Sequence, residues 1–208
     1  MSTLLEYYRS GGPIMHAILV VAVLGLAVFF ERVYVLVLKS KGNSREFVER
    51  VLNLVQSGKD SEALRVCGEN PGAIPHIGDI VLKSASRAES DLQNVADAAG
   101  LTVIPSLTRR LHYLPMLANV ATLLGLLGTI FGLREAFASV AMVSAAERSG
   151  RLAAGIAIAL NATGFGLLTA VPLSVAHAWL SSQAEGMIER VDEFSVRLIN
   201  ALSARRSE

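Results

Sequence analysis

Three long stretches of the sequence contain no Asp, Glu, Lys or Arg, and they restrict the possible folds more than any other feature. They cover 17 positions over residues 14–30, 23 positions over 111–133 and 33 positions over 152–184. A helix crosses the ~30 Å hydrocarbon core of a bilayer in about 20 residues. The shortest stretch resumes as VYVLVL after Glu31 and Arg32, which brings it to spanning length. We therefore predict an all-α membrane protein whose three long transmembrane helices extend into a cytoplasmic helical domain.

The distribution of Lys and Arg predicts how these helices are oriented. Ten Lys and Arg residues lie in segment 39–110, whereas segment 1–13 contains one and the loop 141–151 contains two. Because cytoplasmic segments carry the excess of basic residues, we place the N-terminus in the periplasm of a bacterial inner membrane. The predicted order is a periplasmic segment 1–13, transmembrane helix 14–38, cytoplasmic helical domain 39–110, transmembrane helix 111–140, short periplasmic loop 141–151, transmembrane helix 152–181 and cytoplasmic C-terminal helix 182–208.

The cytoplasmic segments show helical periodicity. Helical spacing of apolar residues predicts a first helix that ends at Gly58, and Asp60 or Ser61 is expected to cap a second helix through Cys67. A break is predicted over 69–75, followed by helices over 77–88 and 91–99, and Pro105 and Pro115 are expected to interrupt or kink the chain before the second membrane helix. In the C-terminal helix an apolar stripe is expected to pack on the helices of 44–110, with membrane-surface binding as the alternative; its members are Met187, Val191, Phe194 and Leu198.

Composition excludes several classes of function. Apolar residues make up 52% and aromatic residues 6%, and the formal net charge is +1, so neither a basic tail nor a stacking platform for nucleic acid is present. One cysteine, Cys67, and four scattered histidines match no disulfide or zinc pattern. No phosphate loop or nucleophile elbow occurs. We therefore expect no enzyme, no nucleic-acid partner, no metal and no cofactor.

Small and polar residues recur at helical spacing in the second and third stretches. The first set is Thr122, Gly125, Thr129 and Gly132, and the second is Ala159, Thr163, Gly166 and Ala170. One interpretation is close packing, in which Gly125, Gly132 and Gly166 let backbones approach and the threonine hydroxyls bond to their own helices. The other is that Thr129 and Thr163 line a polar path between subunits. Asn161 lies about 200° around the helix from Thr163 and predicts a polar interhelical contact elsewhere.

The cores of the second and third membrane helices contain no ionisable carboxylate or basic group. Proton pathways in membranes usually require one. Glu31 and Arg32 are expected to form an interfacial ion pair at the inner end of the first helix, and Arg134 and Glu135 to lie near the outer end of the second. If the chain moves protons, the titrating group is therefore expected on a partner.

The motifs GLLGTIFGLREAF (residues 125–137) and GIAIALNATGFGLLTAVPL (residues 155–173) resemble the paired signature of the MotA/TolQ/ExbB proton-channel family. The first helix with its Glu-Arg pair and the stretch SGKDSEALRVCGENPG are similar to other parts of that family, so the resemblance covers nearly the whole chain. It implies that Thr129 and Thr163 face the pore of a homo-oligomeric ring, most often a pentamer. It also implies a single-pass ExbD/TolR-like partner, whose transmembrane aspartate carries the proton, and a motor that delivers work across the periplasm.

Three positions depart from that pattern. Ile158 stands where ExbB- and TolQ-like members carry a glutamate, Asn161 where an aliphatic residue is common, and Thr122 where a proline precedes the GLLGT element. TonB-type energisation, Tol-Pal and a gliding-motility motor all stay open as the system that is driven. Two hypotheses follow: a channel-forming stator subunit, or a non-conducting scaffold that organises partner helices.

Overall fold

The computed structural model describes residues 12–38, 45–86 and 88–206, and these residues form helices without strands. The periplasmic segment predicted over 1–13 lies almost wholly outside the described residues. In chain order the helices are α1 (Ile14–Val33, continued by a π-helical Tyr34–Leu38), α2 (Arg45–Gln56), α3 (Asp60–Glu69), α4 (Ala73–Lys83), α5 (Glu89–Thr108), α6 (Tyr113–Val140) and α7 (Arg148–Arg206). The all-α prediction is confirmed.

Three helical stretches are long and apolar enough to cross a membrane, as judged from length and composition. They are Ile14–Val37, Ser90–Val140 and Arg148–Arg205. Large apolar side chains remain exposed along all three, among them Phe30, Leu126 and Val171. In water such surfaces would associate, so their exposure here is that of lipid-facing helices.

The chain divides into two compact units. The first unit comprises residues 12–30 with Arg110–Ala178, and therefore contains most of α1, all of α6 and the N-terminal half of α7. Half of its buried apolar side chains are alanine, and the others include Met15, Ile18 and Leu114. On α1, Gly25 faces Leu173 of α7 so closely that an added Cβ would lie 2.6 Å from a Leu173 methyl group. Small residues thus bring the three helices of this unit together.

The second unit comprises Glu31–Arg109 with the C-terminal part of α7, as far as the structure describes them. Large side chains form its core. The apolar stripe predicted for the C-terminal helix is buried here, and Phe194 lies against Gly78 of α4. Ion pairs join α7 to the short helices: Arg197 to Glu49 at 2.7 Å and Arg205 to Asp60 at 2.5 Å. The stripe therefore packs within the protein.

The short helices differ from their predicted boundaries in ways that local chemistry explains. Helix α4 begins at Ala73, because Pro75 occupies its first turn, where a missing N–H costs nothing. The break between α3 and α4, predicted over 69–75, therefore ends at Gly72. The φ of Gly72 is 151°, a backbone conformation that disfavours any side chain. Neither Asp60 nor Ser61 caps α3; Lys59 precedes that helix without a side-chain cap bond. The Asp60 carboxylate instead accepts hydrogen bonds from Arg205.

Helix α5 is twice as long as predicted. It continues through Pro105 to Thr108, and the chain then turns through residues 109–112 before α6 begins. Arg110 adopts a φ of 65° in that turn. The interruption therefore lies between Pro105 and Pro115, and Pro115 lies in the first turn of α6. In the last turn of α1 the predicted ion pair forms. Arg32 is buried, and its guanidinium lies 3.4 Å from the Glu31 carboxylate.

Candidate functional site

A stripe of small residues along α6 packs against the N-terminal half of α7. The buried residues of α6 follow one another at steps of three or four, which is the spacing of a single helix face. Six of the seven are glycine or alanine. In order they are Leu114, Ala118, Ala121, Gly125, Gly128, Gly132 and Ala136.

The glycines of this stripe bring the two backbones into contact. A Cβ built on Gly125 would lie 3.2 Å from the Thr163 Cα, and one built on Gly166 would lie 2.7 Å from the Ala121 carbonyl oxygen. A Cβ on Gly128 would overlap the Ala162 side chain. Backbone atoms cannot rotate away as a flexible side chain can, so the distance between α6 and α7 depends on the absence of these side chains.

Thr163 is hydrogen-bonded across the two helices. Its hydroxyl donates to the carbonyl oxygen of Gly125 at 2.9 Å. In an α-helix that same carbonyl also accepts the backbone N–H four residues later, which here belongs to Thr129. A carbonyl oxygen has two lone pairs and can accept both bonds. The Gly125 carbonyl therefore connects Thr163 of α7 to the backbone of Thr129 on α6.

The Thr129 hydroxyl has a different partner. It donates to the carbonyl oxygen of Leu126, in its own helix, at 2.6 Å. Thr122 likewise donates to its own helix, to Ala118, at 3.1 Å. Neither threonine is buried, because the buried stripe runs through Ala121 and Gly125 and leaves both beside it. A hydroxyl that donates to a carbonyl keeps its oxygen free to accept, so Thr129 is able to take a hydrogen bond from water or from a protonated carboxyl group.

Asn161 points to another part of the first unit. It is half-buried and lines a cavity of about 990 Å³ bounded by α6, α7 and the start of α1. Thr163 does not line this cavity. The structure thus separates Asn161 from the Thr163–Gly125 contact, in keeping with the 200° between them on the helix.

The same cavity contains charged residues at the end of α6. Arg134 and Glu135 both line it, opposite Ile158 of α7. A smaller cavity of about 140 Å³ between α6 and α7 also includes Glu135 and Ile158, together with Arg151. Glu135 thus lines two cavities whose walls also include arginine side chains.

Sequence reasoning missed several residues of the α6–α7 contact. Gly128, Ala162 and Gly155 are packed as closely as the glycines that were singled out. The signal was available, because Gly125, Gly128 and Gly132 step by three and four along the helix. The prediction instead grouped Gly125 and Gly132 with the threonines, which are not on the buried face of α6.

The described residues contain no group of three or more His, Cys, Asp or Glu side chains placed to hold a metal ion. The α6–α7 contact and the cavities beside it offer threonine hydroxyl groups, backbone carbonyls and the carboxylate of Glu135. Such groups can order water and pass protons by hydrogen bonding.

Comparison with known proteins agrees with the motifs. The sequence profile of the MotA/TolQ/ExbB proton channel family matches residues 75–193, which is more than half of the chain. A biopolymer transport protein homologous to ExbB from Methanothermobacter thermautotrophicus is 27% identical over 190 residues, 91% of this chain and 67% of its own length.

Two TolQ proteins of Tol-Pal systems are also similar. The protein from Pseudomonas aeruginosa is 29% identical over 181 residues, which cover 76% of this chain and 78% of that protein. The protein from Haemophilus influenzae is 30% identical over 128 residues, 60% of this chain and 53% of its own length. With α6 and the α7 half that packs on it both inside the matched region, this chain belongs to the MotA/TolQ/ExbB proton channel family.

Proposed function

We propose that this chain is the ring-forming, channel-building subunit of an inner-membrane motor driven by the proton-motive force. The observation that carries the proposal is the contact of Thr163 with the Gly125 carbonyl, in the helix that carries Thr129. Both threonines belong to the motifs that resemble the family's paired signature. The role in energising an envelope system follows from the relatives of ExbB and TolQ type.

The proposed assembly is a homopentamer around transmembrane helices of an ExbD/TolR-like partner. The exposed apolar side chains of the first unit accommodate lipid or neighbouring subunits, and none of the described carboxylates is buried at the threonines. The partner's transmembrane aspartate would carry the proton past Thr129 and Thr163, and the energised system is of TonB, Tol-Pal or gliding-motility type. Native mass spectrometry of the full complex in mild detergent tests the ring, and a stable monomer would overturn it.

The proposed topology has the segment before α1 in the periplasm and the second unit in the cytoplasm. Basic residues support it, since segments 39–110 and 185–208 together carry 14 of the 19 Lys and Arg (ten and four). Two matched reporters on a Cys67→Ala background test it. Ser61→Cys in α3 should be labelled by an impermeant thiol reagent only after cell lysis. Ser149→Cys at the start of α7 should be labelled in cells whose outer membrane is permeabilised, and the reverse pattern would invert the topology.

Thr129→Val and Thr163→Val test the proton path. Valine keeps the shape of threonine and removes the hydroxyl, so we expect assembly to persist and proton flux through reconstituted vesicles to disappear. Thr→Ser should retain part of the flux, because the hydroxyl survives. Interhelical hydrogen bonds in membranes average about 0.6 kcal/mol, too little for their loss to dismantle a ring. Asn161→Leu should affect assembly more than flux.

Thr122→Val is the matched control, since Thr122 lies on α6 and donates to its own helix as Thr129 does. It should leave flux unchanged. The scaffold hypothesis remains the second candidate, because both threonine hydroxyls already donate to backbone carbonyls and could serve packing alone. Normal flux in both valine variants, or a native complex that conducts no protons, would favour the scaffold.

A further inference from the structure

Among the residues that the structure describes, one carboxylate lines the cavity of about 990 Å³ in the first unit. Arg134, Glu135 and Asn161 are the polar side chains on the wall of this 990 Å³ space. An asparagine amide does not titrate, and an arginine keeps its proton at any physiological pH. The carboxylate of Glu135 therefore stands out as the group in this cavity that can exchange a proton with water.

The surroundings of Glu135 leave its carboxylate available. It is exposed, and it makes no hydrogen bond or ion pair with any other residue that the structure describes. Among the described residues, the charged groups that share its two cavities are Arg134 of its own helix and Arg151 of α7. Gly12, Pro13 and Ile14, just before and at the start of α1, also line the larger cavity and carry no titratable side chain. Both arginines border cavities that Glu135 lines, and the exposed carboxylate is open to water.

The position of Glu135 along α6 relates it to the threonines. It lies six residues, or about 9 Å of helix rise, beyond Thr129. The distribution of Lys and Arg predicts that this end of α6 is periplasmic. A proton that enters from the periplasm would meet this carboxylate before it reaches Thr129.

We infer that Glu135 is the proton-collecting residue at the periplasmic mouth of the channel, an inference that rests on the proposed function above. A hydronium ion in the cavity gives its proton to a carboxylate oxygen of Glu135, which leaves water and a neutral carboxylic acid. The acid then gives the proton, through water, to the carboxylate of the partner's transmembrane helix, and the Glu135 carboxylate is restored. The two proton transfers leave the total number of protons and the total charge unchanged.

The test is proton flux through vesicles that contain the full complex with its partner, measured as the pH on the periplasmic side is varied. Glu135→Gln should lower flux about a hundredfold, the low end of the effect of removing a positioned proton-transfer group. It should also flatten the dependence of flux on external pH. Glu147→Gln is the matched control, because Glu147 is an exposed carboxylate in the connection that follows α6 but lines neither cavity. It should change nothing.

Moving the carboxylate to another position in the same cavity tests whether Glu135 collects protons or has only a structural role. Ile158 lines both cavities opposite Glu135, so Ile158→Glu in the Glu135→Gln background puts a carboxylate back into the same space. We expect it to recover flux and its pH dependence, as should Glu135→Asp on its own. If Glu135→Gln impairs assembly, the aspartate variant supplies the comparison with the native chain.

The outcomes separate this inference from the proposed function. One outcome is that Thr129→Val abolishes flux while Glu135→Gln has the same flux as the control Glu147→Gln. This result would overturn the role of Glu135 but would be consistent with the channel. If flux is lost in Glu135→Gln and neither the added Ile158→Glu nor Glu135→Asp retains it, the role of Glu135 is structural. This result would also overturn the inference. A native complex without proton flux would remove the channel proposal and this inference together.

Discussion

The two units of the chain are packed by opposite means. In the first, α6 meets α7 through glycine and alanine, and backbone atoms lie close enough that a single Cβ would collide. In the second, large side chains such as Ile77, Leu92 and Phe194 fill the core, and ion pairs join α7 to α2 and α3.

The difference reflects the solvent that each unit is built for. In lipid, burying a leucine gains little because the surrounding chains are equally apolar, so helices are held by close van der Waals contact and interhelical hydrogen bonds. In water, burial of large apolar side chains is the main favourable term. The contrast supports a lipid-embedded first unit and a water-exposed second unit, and the following experiments test it.

The most sensitive probe of the second unit is Cys67. Burial, with a smaller contribution from the negative charge of Asp79, raises the pKa of its thiol to about 12. Because the thiolate is the reactive form, and an ordinary thiol has a pKa near 9, the reactive fraction at pH 8 falls about a thousandfold. Maleimide labelling of the native protein in detergent should be correspondingly slow. Ser61→Cys on a Cys67→Ala background should react at an ordinary rate; equal rates would mean that this core is open to water.

The same raised pKa makes stability depend on alkaline pH. The unfolded thiol loses its proton near pH 9, while the folded thiol keeps it to about pH 12. Over that interval the folded state binds more protons, so the free energy of unfolding should fall as pH rises. Below pH 9 the contribution of Cys67 is fully present. Cys67→Ala should flatten the slope of unfolding free energy against pH between 9 and 12, and an unchanged slope would assign it to other groups.

Phe194→Ala should cost about 3–5 kcal/mol, the usual range for removing a buried aromatic side chain. Phe194 is 1% exposed and its ring contacts the backbone region of Gly78. Denaturation of the purified chain in detergent measures the change. Val196→Ala, at a position 55% exposed on the same helix, is the control and should cost much less. Similar losses at both positions would show that the core of the second unit is not packed as described.

Two glycines of α7 compare the units directly. Gly166→Ala places a Cβ against backbone atoms of α6, and overpacking of this kind costs about 1–3 kcal/mol. Gly186→Ala meets nothing within 4 Å and should stabilise the helix by up to about 1 kcal/mol. Thermal denaturation and the yield of folded protein in detergent report both. A harmless Gly166→Ala would contradict the close backbone contact.

The smallest effect is expected for the ion pair of Arg205 with Asp60. The side chains are 33% and 35% exposed, so water and salt weaken the attraction, and a double-mutant cycle should give a coupling of about 0.5–1 kcal/mol. The Arg65–Glu69 pair, at 66% and 67% exposure, should couple less. Both couplings should decline as salt is added. A coupling that salt leaves unchanged would indicate a buried contact.

The structure also corrects an experiment that the sequence invites. As the sole cysteine, in the predicted cytoplasmic domain, Cys67 looks like a natural reporter of topology. Because it is 2% exposed, a reagent would fail to label it from either side of the membrane. Introduced cysteines at exposed serines are needed instead, and nothing in the residues around Cys67 revealed this beforehand.

The sequence alone determined the class of protein, because charge-free stretches of spanning length leave few alternatives to membrane helices. It also determined the family, since the two threonine motifs occur in order on successive helices. Local signals are less decisive for boundaries: the sequence predicts Pro75 within a break, although in the first turn of a helix a proline does no harm.

Tertiary structure decided which residues of each helix meet. Helical periodicity groups Gly125 with Thr129 as readily as with Gly128, because both lie within a turn of it, but only one of these faces can approach α7 to backbone contact. It also decided that Thr163 donates to α6 while Thr129 donates to its own helix, and that Glu135 shares cavities with Ile158. Such pairings depend on the rotation of one helix against another, which is set by the packing of side chains distant in sequence.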